Sequence, residues 1–156
     1  MSDSLPRSGR LAAIDYGTVR LGVAITDPDQ RLASPLKNYT RRGQAADAKW
    51  LTALAQSERI AGFVIGLPVH TSGDESQKSR EARQFGHWVA QTTSLPIEYF
   101  DERYTTVHAE ALLLDAELTK KRRKQRLDKL AAQILLAAYL ESSRESAKQK
   151  ALDDQS

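Results

Sequence analysis

Three features of the chain predict an α/β fold built on a mixed sheet. Short apolar runs of strand type occur at Arg10 to Asp15, Arg20 to Asp27 and Gly62 to Gly66. Segments with the three-and-four spacing of a buried helical face alternate with them from residue 44 onward. With 156 residues, the chain is long enough to bury one core without disulfides or a structural metal.

The elements follow in order. Tyr16-Gly17-Thr18-Val19 separates the first two runs and reads as the turn of a hairpin, with Gly17 supplying tolerance of positive φ. Arg31 to Lys37 adds a third strand, and Pro35 places it at an edge or ends it early. Ala48, Leu51, Leu54 and Ala55 predict a helix over Gln44 to Glu58. Gly62-Phe63-Val64-Ile65-Gly66 is apolar without alternation, the pattern of a parallel strand buried on both sides. A loop from Gly66 to Gly73 then leads into a helix over Ser76 to Thr92, with Ala82, Phe85 and Val89 inward.

Pro96 opens a strand over Ile97 to Phe100, where a missing amide proton is tolerated. Thr105 or Thr106 can cap a helix carrying Val107, Ala111, Leu114 and Leu118. A last helix is predicted from Leu127, with Leu130, Ala131, Ile134, Leu135 and Ala138 on one stripe. The resulting order, β-β-β-α-β-α-β-α, is not that of a Rossmann domain. It matches the ribonuclease-H-like arrangement, a five-stranded mixed sheet flanked by helices. Residues 1–9 read as a flexible lead, 10–141 as one domain, and 142–156 as a polar tail without periodicity.

Composition narrows the chemistry. The absence of cysteine removes thiolate nucleophiles, Cys-based zinc sites and disulfide frameworks, and fits a reducing cytoplasm. No apolar run approaches the roughly 18 residues of a membrane span, and no signal-like segment opens the chain, so a cytoplasmic protein without a membrane partner is expected. The formal net charge is only +3, but it is concentrated: Lys120, Lys121, Arg122, Arg123, Lys124 and Arg126 fill six of seven consecutive positions. Such a run attracts a polyanionic backbone, and Arg41 and Arg42 extend the track. Its bland alternative is a solvated loop between helices.

Three carboxylates, Asp15, Glu102 and Asp128, each sit where a hydrophobic segment meets a turn or the basic run. Each also has a purely structural reading. Asp15 can bond turn amides, Glu102 can pair with Arg103 at the surface, and Asp128 can favour the positive end of the last helix. Brought together, they form a hard-oxygen site for Mg²⁺ or Mn²⁺, with Asp15 as the bridging ligand, suited to hydrolysis of a phosphodiester without a covalent protein nucleophile. Glu102 is favoured over its neighbour Asp101, since adjacent acids point different ways. Gly17, Gly66 and Gly73 would let a phosphate approach the backbone, the last two bracketing a loop that runs into a helix N-terminus.

The chain resembles the YqgF family, also called RuvX, of ribonuclease-H-like nucleases and Holliday-junction resolvases. The carriers are Ala13-Ile14-Asp15-Tyr16-Gly17-Thr18-Val19-Arg20-Leu21-Gly22-Val23-Ala24, Gly66-Leu67-Pro68, Asp101-Glu102-Arg103-Tyr104-Thr105-Thr106 and Asp128-Lys129-Leu130-Ala131-Ala132-Gln133-Ile134-Leu135. The resemblance implies Asp15, Glu102 and Asp128 as an acidic triad and a requirement for Mg²⁺ or Mn²⁺. It also implies a role in maturing the 5′ end of small-subunit (pre-16S) ribosomal RNA, with association with the ribosome. Where family members carry an Asn-x-Asp-Gly-like turn after Gly-Leu-Pro, this chain has His70-Thr71-Ser72-Gly73. The expected substrate is therefore precursor rRNA, with a branched DNA junction as the alternative for a monomer or homodimer. A non-catalytic RNA-binding or transcription-associated factor is the remaining alternative.

Overall fold

The computed structural model describes residues 5–68, 76–105 and 120–154, with side chains in the last stretch from residue 130 onward. Five strands form one sheet: β1 (Arg10–Tyr16), β2 (Arg20–Thr26), β3 (Ala33–Thr40), β4 (Ile60–Leu67) and β5 (Ile97–Asp101), in the order β3-β2-β1-β4-β5. β1 pairs antiparallel with β2, and β2 with β3, whereas β4 runs parallel to both β1 and β5. The hairpin half and the parallel half therefore meet at β1. Among the described residues, the helices are α1 (Gln44–Ser57), α2 (Gln77–Thr93) and α3 (Lys120–Asp154), with a 3-10 turn at Glu102–Thr105.

Period-two alternation sends successive residues of β1 to opposite faces. Ala12 and Ile14 join Val23, Phe63, Ile65, Leu51, Phe85 and Val89 in a core against α1 and α2. Leu11 and Ala13 join Ala24, Val64, Ala132, Leu135 and Leu136 in a second core beneath α3. β4 contributes to both, which is why its sequence is apolar without alternation. The result is a three-layer α/β/α arrangement.

Several boundaries depart from the sequence reading, among them the expected flexible lead, whose Leu5 is buried in the second core. β3 starts at Ala33 and continues past Pro35 to Thr40. The proline is accommodated because β3 is an edge strand and its register shifts between the partners of Val23 and Ala24, the signature of a bulge. Beyond it Tyr39 drops into the core and stacks on Trp50, with ring centres 3.8 Å apart.

The last helix begins at Lys120 rather than Leu127, because Lys, Arg and Gln are good helix formers and the basic run continues the helix. The solvated-loop alternative for that run is thereby corrected. The buried face of α3 also centres on Ala132, Leu135 and Leu136 rather than on Leu130 and Ala131, which stay half-buried.

Residues 142–154, read as a polar tail, continue α3 as exposed turns. Arg144 ties the first of those turns to the β2–β3 connection by donating to the carbonyls of Gln30 and Arg31 at 3.1 and 2.8 Å. The helix expected after Thr105 lies outside the described residues. Among the described residues, no helix is long and apolar enough to cross a membrane.

Candidate active site

The parallel strands β1, β4 and β5 end at the same edge of the sheet, where open α/β sheets form their clefts. Asp15 is the penultimate residue of β1. It pairs with Gly22 on the hairpin side, and the register Ile14↔Ile65 sets it beside Gly66 on the parallel side. By alternation Asp15 shares its parity with Leu11 and Ala13, so it belongs to the α3 face of the sheet.

The turn after Asp15 is tight. A Cβ on Gly17 would lie 2.5 Å from the carbonyl oxygen of Arg20. Gly17 is needed for this close approach and not for left-handed backbone, since its φ is not positive.

Glu102 opens the 3-10 turn directly after β5. Its Oε1 lies 2.5 Å from where a Cβ on Gly66 would stand, with Leu135 of α3 at 3.1 Å from the same point. The missing side chain of Gly66 is therefore the space that the Glu102 carboxylate occupies beside Asp15. Burial, followed by the nearby charge of Asp101, raises the pKa of Glu102, and Lys78 opposes the shift. Its anion is short of compensating charge.

Asp101, one residue earlier, behaves in the opposite way. Arg103 grips it through the backbone amide at 2.9 Å, Nε at 2.8 Å and a terminal nitrogen at 2.6 Å. These contacts hold its pKa below the ordinary aspartate value. The salt-bridge role open to Glu102 in the sequence thus falls to Asp101.

Asp15 and Glu102 line one cavity of about 360 Å³ with Tyr16, Gly17, Gly66 and Pro68. Its far wall is the first two turns of α2, which supply Lys78, Glu81 and Ala82. Sequence reasoning missed Lys78 and Glu81. The available signal was their i, i+3 spacing in a helix that starts at the same edge as the acids. Ser76 fixes that start as N-cap, accepting from the Ser79 amide at 3.2 Å.

Asp128 is the ninth residue of α3, two turns before Leu135, and its side chain lies outside the described residues. It is too far inside the helix to serve the N-terminal dipole, whose effect is confined to the first turn. Among the described residues, no group of three His, Cys, Asp or Glu is arranged to hold a metal ion. Gly73 and His70 lie outside the described residues, as do the side chains of Lys120, Lys121, Arg122, Arg123, Lys124 and Arg126. Arg42 is exposed, whereas Arg41 is turned inward onto Asp47.

Residues 9–142 match the family described as "RuvX: Holliday junction resolvase". The chain belongs to the RuvX family. A family member from Rhodopirellula baltica, named "Putative pre-16S rRNA nuclease", is 52% identical over 142 residues, covering 91% of this chain and 82% of its own length. A relative of the same name from Cereibacter sphaeroides is 40% identical, covering 88% of this chain and 86% of its own. Membership makes the chain a phosphodiester hydrolase of the nuclease class.

The fold is also that of RuvC from T. thermophilus, solved with a Holliday junction substrate. The TM-score is 0.57 at 14% identity, over 86% of this chain and 96% of that one. Fowlpox virus resolvase, solved with junction DNA, follows at 0.53 and 10% identity, over 85% of this chain and 97% of that one. At these identities the likeness establishes the fold, a ribonuclease-H-like sheet in the RuvX chain.

Proposed function

We propose that this chain is a divalent-cation-dependent endonuclease that matures the 5′ end of pre-16S rRNA. The observation that carries the reading is the seat of Glu102, a carboxylate drawn out of water into the space left by Gly66 and beside Asp15. A carboxylate whose ionised form the fold disfavours is a functional-site signature when it lines a cleft. The relatives named for pre-16S rRNA support the substrate.

The donor set fits a hard cation, since the acids lining the cavity offer only oxygen. Asp15, Glu102 and Asp128 would hold Mg²⁺ or Mn²⁺. When bound, such a cation would lower the pKa of an attacking water and stabilise the leaving oxygen. The chain's own residues supply the rest. Lys78 stands at the cavity as a point charge for the scissile phosphate. The basic turns of α3, Lys120 to Arg126, hold the flanking backbone with Arg42. The nuclease domain spans 10–141 and works in the cytoplasm, in contact with the assembling small subunit.

A four-way DNA junction is the second reading, favoured by the family's resolvase description and by the fold shared with two resolvases. A homodimer would address its opposed strands symmetrically. Matched pre-16S rRNA and junction substrates, cleaved by wild type and Asp15→Asn in Mn²⁺ or EDTA, separate the readings. RNA cutting that needs Mn²⁺ and is lost in the variant is the expected result. Junction cutting alone establishes the second reading. Binding of both without cutting overturns the enzyme assignment for both substrates.

A further inference from the structure

The turn that follows Asp15 is clasped from outside its hairpin. Arg41, the residue after β3, donates its backbone N–H to the Val19 carbonyl at 2.9 Å and one terminal N–H to the Gly17 carbonyl at 3.4 Å. Its guanidinium carbon also stands 5.7 Å from the ring centre of Tyr16 and 5.8 Å from that of Phe85. One arginine therefore touches Tyr16, Gly17 and Val19, three of the four turn residues.

Arg41 is in turn held by Asp47. This aspartate is fully buried in the first turn of α1 and accepts from Arg41 Nε at 3.1 Å, the Arg42 amide at 2.9 Å and the Tyr39 hydroxyl at 2.8 Å. The Arg41 side chain keeps 24% of its exposure, against 1% for Asp47. The guanidinium is engaged at three places, by Nε on Asp47, by a terminal nitrogen on Gly17 and by its proximity to the Tyr16 and Phe85 rings. A planar fork can meet all three and an ammonium cannot.

We propose that Arg41, anchored by Asp47, is a positioning residue that fixes the Tyr16–Val19 turn and so holds Asp15 in its productive geometry. The proposal rests on the reading of the acid cavity as the active site. Misplacing a reacting group by about 1 Å costs on the order of 100-fold in rate, so a clasp on the residue following Asp15 has leverage on the chemistry. A competing role exists. Arg41 also lines a shallow cavity of about 220 Å³ that shares Tyr16 and Glu81 with the acid cavity, where it could touch substrate as a plain cation.

The full chain separates the two roles through Arg41→Lys and Asp47→Asn, assayed for cleavage kinetics and for amide hydrogen exchange at residues 16–19. Asp47 is buried and does not reach substrate, and Arg41→Lys retains the charge. For a positioning clasp, both variants lower kcat by about 100-fold with KM and its salt dependence unchanged within about twofold. Both also exchange the turn amides at least about tenfold faster than wild type.

Retention of kcat in Arg41→Lys, or a loss confined to KM, overturns the proposal in favour of substrate contact. Unchanged exchange at the turn overturns it whatever the wild type cleaves. A wild type that cuts neither substrate defeats the active-site reading, while the exchange measurement still decides the clasp. If Asp47→Asn fails to fold, Arg41→Lys decides alone.

Discussion

Among the described residues, Asp47 is a fully buried carboxylate and Glu102 a partly buried one, and their surroundings treat them in opposite ways. At the junction of β3 and α1, Asp47 loses all exposure, yet three donors converge on it. Burial pushes its pKa up, but the Arg42 amide, the Tyr39 hydroxyl and the Arg41 guanidinium outweigh that and hold it below the ordinary value. At the ends of β4 and β5, burial is again the largest influence on Glu102, and there it prevails. A carboxylate that the fold satisfies serves the fold. One that the fold leaves under-compensated is, where it lines a cleft, the kind of group that active sites use.

The largest effects should come from neutralising each acid. Glu102→Gln is expected to reduce cleavage by roughly 100-fold or more, the scale of losing one electrostatic stabiliser, while the melting temperature at pH 7 stays level or rises. Calorimetry beside a cleavage assay checks this, and a falling melting temperature would move Glu102 into the class of Asp47.

Asp47→Asn should do the reverse to stability and cost about 1–3 kcal/mol at pH 7, the range for an unmatched buried polar group. Because the folded pKa of Asp47 is depressed, its contribution is present above the unfolded value of about 3.9 and is lost as the pH falls through the folded value. Denaturant midpoints of wild type and variant should therefore converge below pH 4. A constant gap across pH would show that geometry, and not ionisation, carries the effect.

Gly66→Ala sharpens the comparison from the other side. The new methyl meets the Glu102 carboxylate and Leu135, so it should destabilise by about 1–3 kcal/mol, as overpacking does. Pairing it with Glu102→Ala should recover part of that loss in urea unfolding if the carboxylate is the obstruction. The smallest effect belongs to the half-exposed pair Arg10–Glu58, 3.1 Å apart. Glu58→Gln should shift stability by no more than about 0.5 kcal/mol, and less in high salt.

What was legible in the sequence was whatever local pattern could carry. The alternating and continuous apolar runs located all five strands, because period and burial are written residue by residue. Asp15 and Glu102 were legible as acids at strand exits for the same reason. The end of β3 was not, since a bulge after Pro35 is decided by pairing with β2. The start of the last helix was misplaced because a basic run lacks an apolar stripe although its residues favour helix.

The sequence alone determined the α/β order, the family motifs and which carboxylates stand at strand ends. Those follow from composition and short-range periodicity, which the chain contains before it folds. Only the tertiary structure decided that Asp101 is spent on Arg103 while Glu102 lies over Gly66, and that Lys78 and Glu81 join the cavity. It alone also decided that Arg41, read as part of a nucleic-acid track, turns inward to a buried aspartate. Register and burial assign those partners across tens of residues, and the energy of a charge depends on its neighbours in space rather than on its neighbours in sequence.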